Sequence, residues 1–217
     1  MRSVREGALA NPMDETRGKA LLKRIAEKDR KAFEEFYYLY SEGFGRFLMK
    51  MLQHHNWVDE AVNDVMLAVW QCAGRYDPEK GRLSTWLFGI AHNKGLKILE
   101  RAGRHREGSL EDYQEAIDGE DEGAPAAFDT ASPSASGPEQ VVMGWELGDA
   151  MSWAFSKLSP DHQAVIELCF SEDFSNQEIA DIMGCPLNTV KSRLCYARKR
   201  LAQLLARKGF ALSEQGK

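Results

Sequence analysis

SNQEIADIMGCPLNTVKSRLCYARKRL, residues 175–201, decides the reading of the chain. Ser175 and Glu178 have the spacing of a capping box, in which the serine hydroxyl takes the glutamate amide and the glutamate reaches back to the serine amide. A short helix follows through Ile179, Ala180, Ile182 and Met183. Gly184 can take the left-handed conformation that ends it, and Pro186 restarts the chain as a second helix. Val190, Leu194, Ala197, Leu201 and Leu204 then recur at i, i+4, i+7, i+11 and i+14, a buried stripe. Asn188, Thr189, Lys191, Ser192, Arg193, Tyr196, Lys199 and Arg200 lie opposite and beside it. Two short helices on a tight turn, the second basic on its outer face, match what a helix-turn-helix needs to enter a DNA major groove. A helical hairpin with a solvated polar face is the rival reading.

Upstream, Ser159-Pro160 marks another helix start, serine as N-cap and proline at the first helical position, with Val165, Ile166, Leu168 and Cys169 for burial. Before it, Val142, Trp145, Leu147, Met151 and Phe155 predict a helix over 140–157. Residues 107–139 are Gly, Pro, Ser, Ala and acids, a flexible acidic linker that cannot bury a core. As a coil of about 33 residues it spans roughly 30 Å root-mean-square and roughly 110 Å at full stretch. The formal charge of -5 hides this pattern: residues 107–150 hold 12 acids and no Lys or Arg, while the flanking blocks are mildly basic. Basic ends around an acidic middle fit a nucleic-acid partner.

In the first block, Leu21, Leu22 and Ile25 begin an apolar stripe that Phe33, Phe36, Tyr37, Tyr40, Phe44, Phe47, Leu48, Met51 and Leu52 continue. Val58, Val62, Val65, Val69 and Cys72 form the buried side of an amphipathic helix whose outer face is acidic, through Asp59, Glu60, Asn63 and Asp64. After a turn at Tyr76–Gly81, a helix from about Leu83 to Arg104 sets Lys94, Lys97, Arg101 and Arg104 at i, i+3, i+7 and i+10, one ridge of positive charge. Asn93 sits one turn before Lys97, and Trp86 has the spacing of a packing residue beside Leu83 and Ile90.

The expected fold is all-α: two small helical domains, residues 20–106 and 140–208, joined by the linker. An N-terminal extension (1–19, with Met13 an alternative start) and a C-terminal tail (209–217) complete the chain. No apolar run reaches the roughly 18 residues of a membrane helix and the start lacks the apolar core of a secretory signal, so a cytoplasmic protein is expected. Cys72, Cys169, Cys185 and Cys195 have neither disulfide nor zinc spacing, so reduced, mostly buried thiols are expected. No glycine-rich phosphate loop occurs, and His54 and His55 point apart on a helix. No enzyme, metal or cofactor is expected.

The two blocks together resemble the sigma factors of bacterial RNA polymerase, sigma-70 family, in the extracytoplasmic-function (ECF) group. FEEFYYLYSEGFGRFL (33–48) and VDEAVNDVMLAVWQCAGRYDPEKGRLSTWLFGIAHNKGLKILER (58–101) look like region 2; LSPDHQAVIELCFSEDFSNQEIADIMGCPLNTVKSRLCYARKRL (158–201) looks like region 4. The resemblance implies that Asp59, Glu60, Asn63 and Asp64 dock on the clamp helices of the polymerase's largest subunit. It implies that Asn93 lies in a pocket for a flipped minus-10 base while Lys94, Lys97, Arg101 and Arg104 track phosphates. Asn188, Thr189, Lys191, Ser192 and Arg193 would meet the minus-35 element, Arg193 through guanine or phosphate. Many relatives carry arginine where Gly89 and His92 stand and aspartate where Lys97 stands, which bears on base preference. Two elements 16 to 17 base pairs apart lie roughly 55 Å apart on the duplex, within the linker's reach. The implied partners are core polymerase, promoter DNA and an anti-sigma factor. A duplex-binding regulator that needs no polymerase, and a sigma-like adaptor, are the alternatives.

Overall fold

A computed structural model describes residues 12–103 and 138–210, with side chains described for 15–103 and 147–210. Its elements are α1 (Pro12–Ala26), α2 (Arg30–Leu52), α3 (His55–Cys72) with a 3-10 turn at Ala73–Arg75, α4 (Leu83–Gly103), α5 (Pro138–Ser156), α6 (Pro160–Phe170), α7 (Asn176–Met183) and α8 (Leu187–Arg207). No strand occurs among the described residues. The linker expected over 107–139 falls almost wholly outside them, as do Arg104 and residues 211–217 of the tail.

Local chemistry sets the breaks. The long apolar stripe of the first block is cut at Asp29, whose carboxylate caps α2 through the amides of Lys31 and Ala32. Arg24 holds that carboxylate through two nitrogens at 2.9 and 2.7 Å and keeps its pKa below the usual carboxylate range. Ser175 and Glu178 form both bonds of the capping box, and Gly184 closes α7 at φ 62°. Ser159 caps α6 ahead of Pro160.

α1 to α4 bury Ile25, Phe36, Tyr40, Phe44, Phe47, Leu48, Val65, Val69, Leu83, Leu87 and Phe88 almost completely. At about 1.5–3 kcal/mol for each large side chain taken from water, these rings and branched chains hold the bundle. Two expectations are corrected. Tyr37 lies at the surface, 36% exposed, because its position on α2 turns it toward α3 rather than into the bundle. Cys72, Cys169 and Cys185 are half-buried and Cys195 is exposed, all four unpaired, Cys195 because it sits on the outer side of α8.

The helical layer also starts earlier than the boundary drawn at residue 20. α1 begins at Pro12, and Glu15 on it accepts the amides of Leu83 and Ser84 at 2.5 and 3.2 Å. A carboxylate thus caps α4 from another helix, satisfying amides that have no partner within α4 and favouring its positive end.

In the second domain, Val190, Leu194, Ala197 and Leu204 are buried as their spacing predicts, with Leu201 at the edge. α8 packs on α5, α6 and α7. The two domains are not separate bodies here. α6 packs on α2 and α7 on α4, and the core runs without a break from Phe44 and Phe88 to Phe174, Ile179 and Ile182.

Candidate nucleic-acid interface and docking face

α3 and α4 lie side by side, so the acidic outer face of one meets the basic ridge of the other. Arg101 grips Glu60 with two nitrogens, each at 2.7 Å. Lys94 reaches Asp64 at 3.3 Å. The Arg101 hydrogen bond holds the Glu60 carboxyl below the usual range, so it stays ionised. Both pairs are substantially open to water and contribute little to stability. Their meaning is in what they leave over: Asp59 and Asn63 stand exposed on α3 and Asn93 and Lys97 on α4, with neither the Asp59 nor the Lys97 charge in an ion pair among the described residues.

Beside Asn63 an apolar cleft of about 490 Å³ opens between α2 and α3, lined by Arg30, Phe33, Tyr37, Met66, Leu67 and Trp70. Phe33 meets Trp70 edge-on at 5.2 Å, and Leu67 is 51% exposed. The periodicity assigned Phe33 and Tyr37 to the core. The signal for the cleft was Leu67, an apolar residue one turn beyond Asn63 on the polar face.

On α4 the sequence-predicted residues do not all point one way. His92, next to Asn93, is only 2% exposed, and neither ring nitrogen has a hydrogen-bond partner. Burial pushes its pKa below the ordinary histidine value; Asp161 pulls it up and Arg193 pushes it down. Trp86 is half-buried against Tyr76, ring centres 5.7 Å apart, in the packing role its spacing indicates.

Along α8, Asn188, Lys191 and Ser192 are exposed and Thr189 half-buried. The Ser192 hydroxyl is bonded back to the Asn188 carbonyl at 2.9 Å. Arg193 turns inward to Asp161 at the start of α6, 2.6 Å away, and keeps 26% of its side chain exposed. A polar, basic edge on the second helix of a capped helix pair is the geometry that reaches base edges and phosphates in a major groove.

Family comparisons agree with this division of the chain. The model described as Sigma-70 region 2 matches residues 40–105, and that described as Sigma-70, region 4 matches residues 153–201. The ECF RNA polymerase sigma factor RpoE of Cereibacter sphaeroides is 30% identical over 196 residues, which cover 90% of this chain and 98% of that protein. The chain belongs to the ECF sigma factors of the sigma-70 family. ECF sigma factor SigE of Mycolicibacterium smegmatis is 25% identical over 90% of the chain and 70% of its own length. Among solved structures, the sigma factor RpoE bound to the anti-sigma factor NepR, from Bartonella quintana, shares the fold, with TM-score 0.54, 24% identity and coverage of 81% of this chain and 98% of that one. This sigma factor is accordingly an alternative transcription-initiation factor, a subunit that brings core polymerase to promoters through minus-10 and minus-35 elements. None of its described helices is long and apolar enough to cross a membrane.

Proposed function

We propose a division of labour among the residues of this sigma factor. Asp59 and Asn63, with Leu67 and the adjoining cleft, form the face that meets the polymerase clamp helices. Exposed acids steer a basic partner surface, and an apolar cleft beside them supplies area to desolvate. Glu60 and Asp64 belong to the same face and also hold the α4 cations. Asn93 and Lys97, joined by Lys94, Arg101 and Arg104, take the opened minus-10 strand; Asn188, Thr189, Lys191, Ser192 and Arg193 take the minus-35 duplex. The protein works in the cytoplasm by binding, without catalysis of its own. An anti-sigma factor, as NepR is for the Bartonella protein, competes for these surfaces.

The observation that supports this reading is the α3–α4 pairing, in which an acidic face and a basic ridge lie on adjoining helices. A specific consequence follows from it. Glu60→Gln releases Arg101, so affinity for a single-stranded minus-10 oligonucleotide should rise about two- to fivefold, and the slope of log affinity against log salt should steepen by about 0.7, one added phosphate contact. Fluorescence anisotropy across a salt series measures both. An unchanged slope would show that Arg101 does not reach the strand.

The reading as a whole is tested by transcription with purified core polymerase on a genomic template, with and without the protein, sequencing new 5′ ends. New starts sharing two elements at fixed separation are expected. Duplex binding by the protein alone, with no binding to core, would favour the regulator reading instead.

A further inference from the structure

Gly81 and Arg82, the residues ahead of α4, carry no side-chain oxygen to take its first amides. Glu15 of α1 supplies the oxygens instead, accepting from Leu83 and Ser84. Its side chain is only 12% exposed, and it also pairs with Lys19, one turn on, at 3.3 Å. Lys19 donates in turn to the Tyr76 hydroxyl, and that hydroxyl donates to the Gly81 carbonyl at 3.0 Å. A chain of bonds therefore runs through α1 from one end of the turn between α3 and α4 to the other. The turn has a local frame as well, since Asp77 takes the Glu79 amide at 3.1 Å and pairs with Lys80 at 3.5 Å. What α1 adds is the attachment of Tyr76 to the start of α4.

This network stands behind the strand-facing side of α4. The Tyr76 ring lies against Trp86, with ring centres 5.7 Å apart and planes tilted by 49°. Trp86, Ile90, Asn93 and Lys97 follow at i, i+4, i+7 and i+11, the first two half-buried and the last two exposed, so they form one strip. Farther along, Gly95 seats α4 directly on α2: a Cβ there would stand 2.9 Å from the Met51 sulfur and 3.2 Å from a Leu48 methyl. The helix is thus pinned at Leu83 and at Gly95, about 18 Å apart along its axis. Asn93 lies between the two pins.

We infer that Glu15 and Lys19 of α1, with the Tyr76 hydroxyl, are positioning residues for minus-10 recognition: they touch no DNA and set how α4 presents Asn93 to the opened strand. This rests on the assignment of Asn93 and Lys97 to that strand. Glu15 is nearly covered and its oxygens are taken, and Lys19 is committed to Glu15 and Tyr76. A base contact needs its side chain held to a fraction of an ångström, whereas long cations follow phosphates across a looser range. Loss of the network should therefore cost base selectivity and leave non-specific affinity alone.

The test compares two single-stranded oligonucleotides, one carrying the minus-10 element read from the mapped start sites and one with that element scrambled. Binding to the full chain is followed by fluorescence anisotropy, well below the melting temperature of each variant. Glu15→Ala, Lys19→Met and Tyr76→Phe should each lower the ratio of the two affinities about tenfold, the worth of one good base contact. Affinity for the scrambled strand and its salt slope should not change; a slope smaller by about 0.7 in Lys19→Met would make Lys19 a phosphate contact and overturn the inference. Glu15→Gln keeps an oxygen for the amides and should restore the ratio to within about threefold of wild type, as rescue of a cap requires. Lys19→Met combined with Tyr76→Phe should lose no more than either alone, because both break the same chain of bonds. Additive losses, or equal losses on both strands, would reduce the network to general stability and overturn the inference. Asn93→Ala separates the two levels of reading. If it removes selectivity and the α1 variants do not, the positioning role alone is wrong; if it keeps full selectivity, the assignment of α4 has failed and the inference with it.

Discussion

Gly18→Val is expected to lower the stability of the first domain by about 3 kcal/mol, the upper part of the range for overpacking a filled core. A Cβ on Gly18 would run into the Tyr40 hydroxyl oxygen and stand 2.8 Å from a Leu83 methyl. The ring cannot withdraw: Tyr40 is 1% exposed and lies between Phe36 and Phe44, with ring centres at 4.4 and 6.0 Å. α1 itself must therefore move away, and with it Glu15, the carboxylate that caps α4. In a domain of this size the loss corresponds to a melting temperature lower by about 12–24 °C. Gly45→Ala is the control, because nothing lies within 4 Å of a Cβ there; it should stabilise α2 by up to about 1 kcal/mol through helix propensity. A wild-type melting temperature for Gly18→Val would show that α1 does not pack on Tyr40. Because α4 carries Asn93, Lys94 and Lys97, the same substitution should weaken minus-10 strand binding at temperatures where the bundle is still folded.

Much of this fold is legible in the sequence, and its omissions share a cause. Periodicity and capping are local, so Ser175, Glu178, Gly184 and Ser159 mark helix ends directly, and the stripes from Val58 and Val190 fall inside α3 and α8. Contacts between elements distant in the chain leave no such trace. Glu15 capping α4 joins residues 68 positions apart, and Arg82 on Glu178 joins residues 96 apart. Residues 12–19 therefore read as an extension, although α1 is fixed by what it touches. The core shared by the two domains was equally hidden: Phe88 and Phe174 each look like the core of their own domain. The candidate site divides along the same line. Which residues occupy the polar faces of α3, α4 and α8 follows from spacing. That Glu60 and Asp64 neutralise Arg101 and Lys94, and that Arg193 turns toward Asp161, follows only from helix packing.

That pairing makes the docking face testable at the positions it leaves free. Asp59→Lys combined with Asn63→Lys should weaken binding to core polymerase by about 10- to 100-fold, about 1.4–2.8 kcal/mol, measured by titration of labelled core at moderate salt. The two side chains are exposed and one turn apart on α3, so the folded chain has no obstacle to the change. Placing cations against a basic partner surface replaces attraction by repulsion, which slows encounter and speeds release. Glu60→Gln should have a smaller effect, within about threefold, because Arg101 already neutralises that carboxylate in the free chain. Asp181→Lys, a charge reversal on α7 in the other domain, controls for net charge and should leave core affinity nearly unchanged. Leu67→Ser then separates the cleft from the charges: it should raise the dissociation rate with little change in the salt dependence, since an apolar side chain contributes through burial rather than steering. Equal losses from Asp59→Lys/Asn63→Lys and Asp181→Lys would reduce the effect to overall charge and remove the docking face from α3.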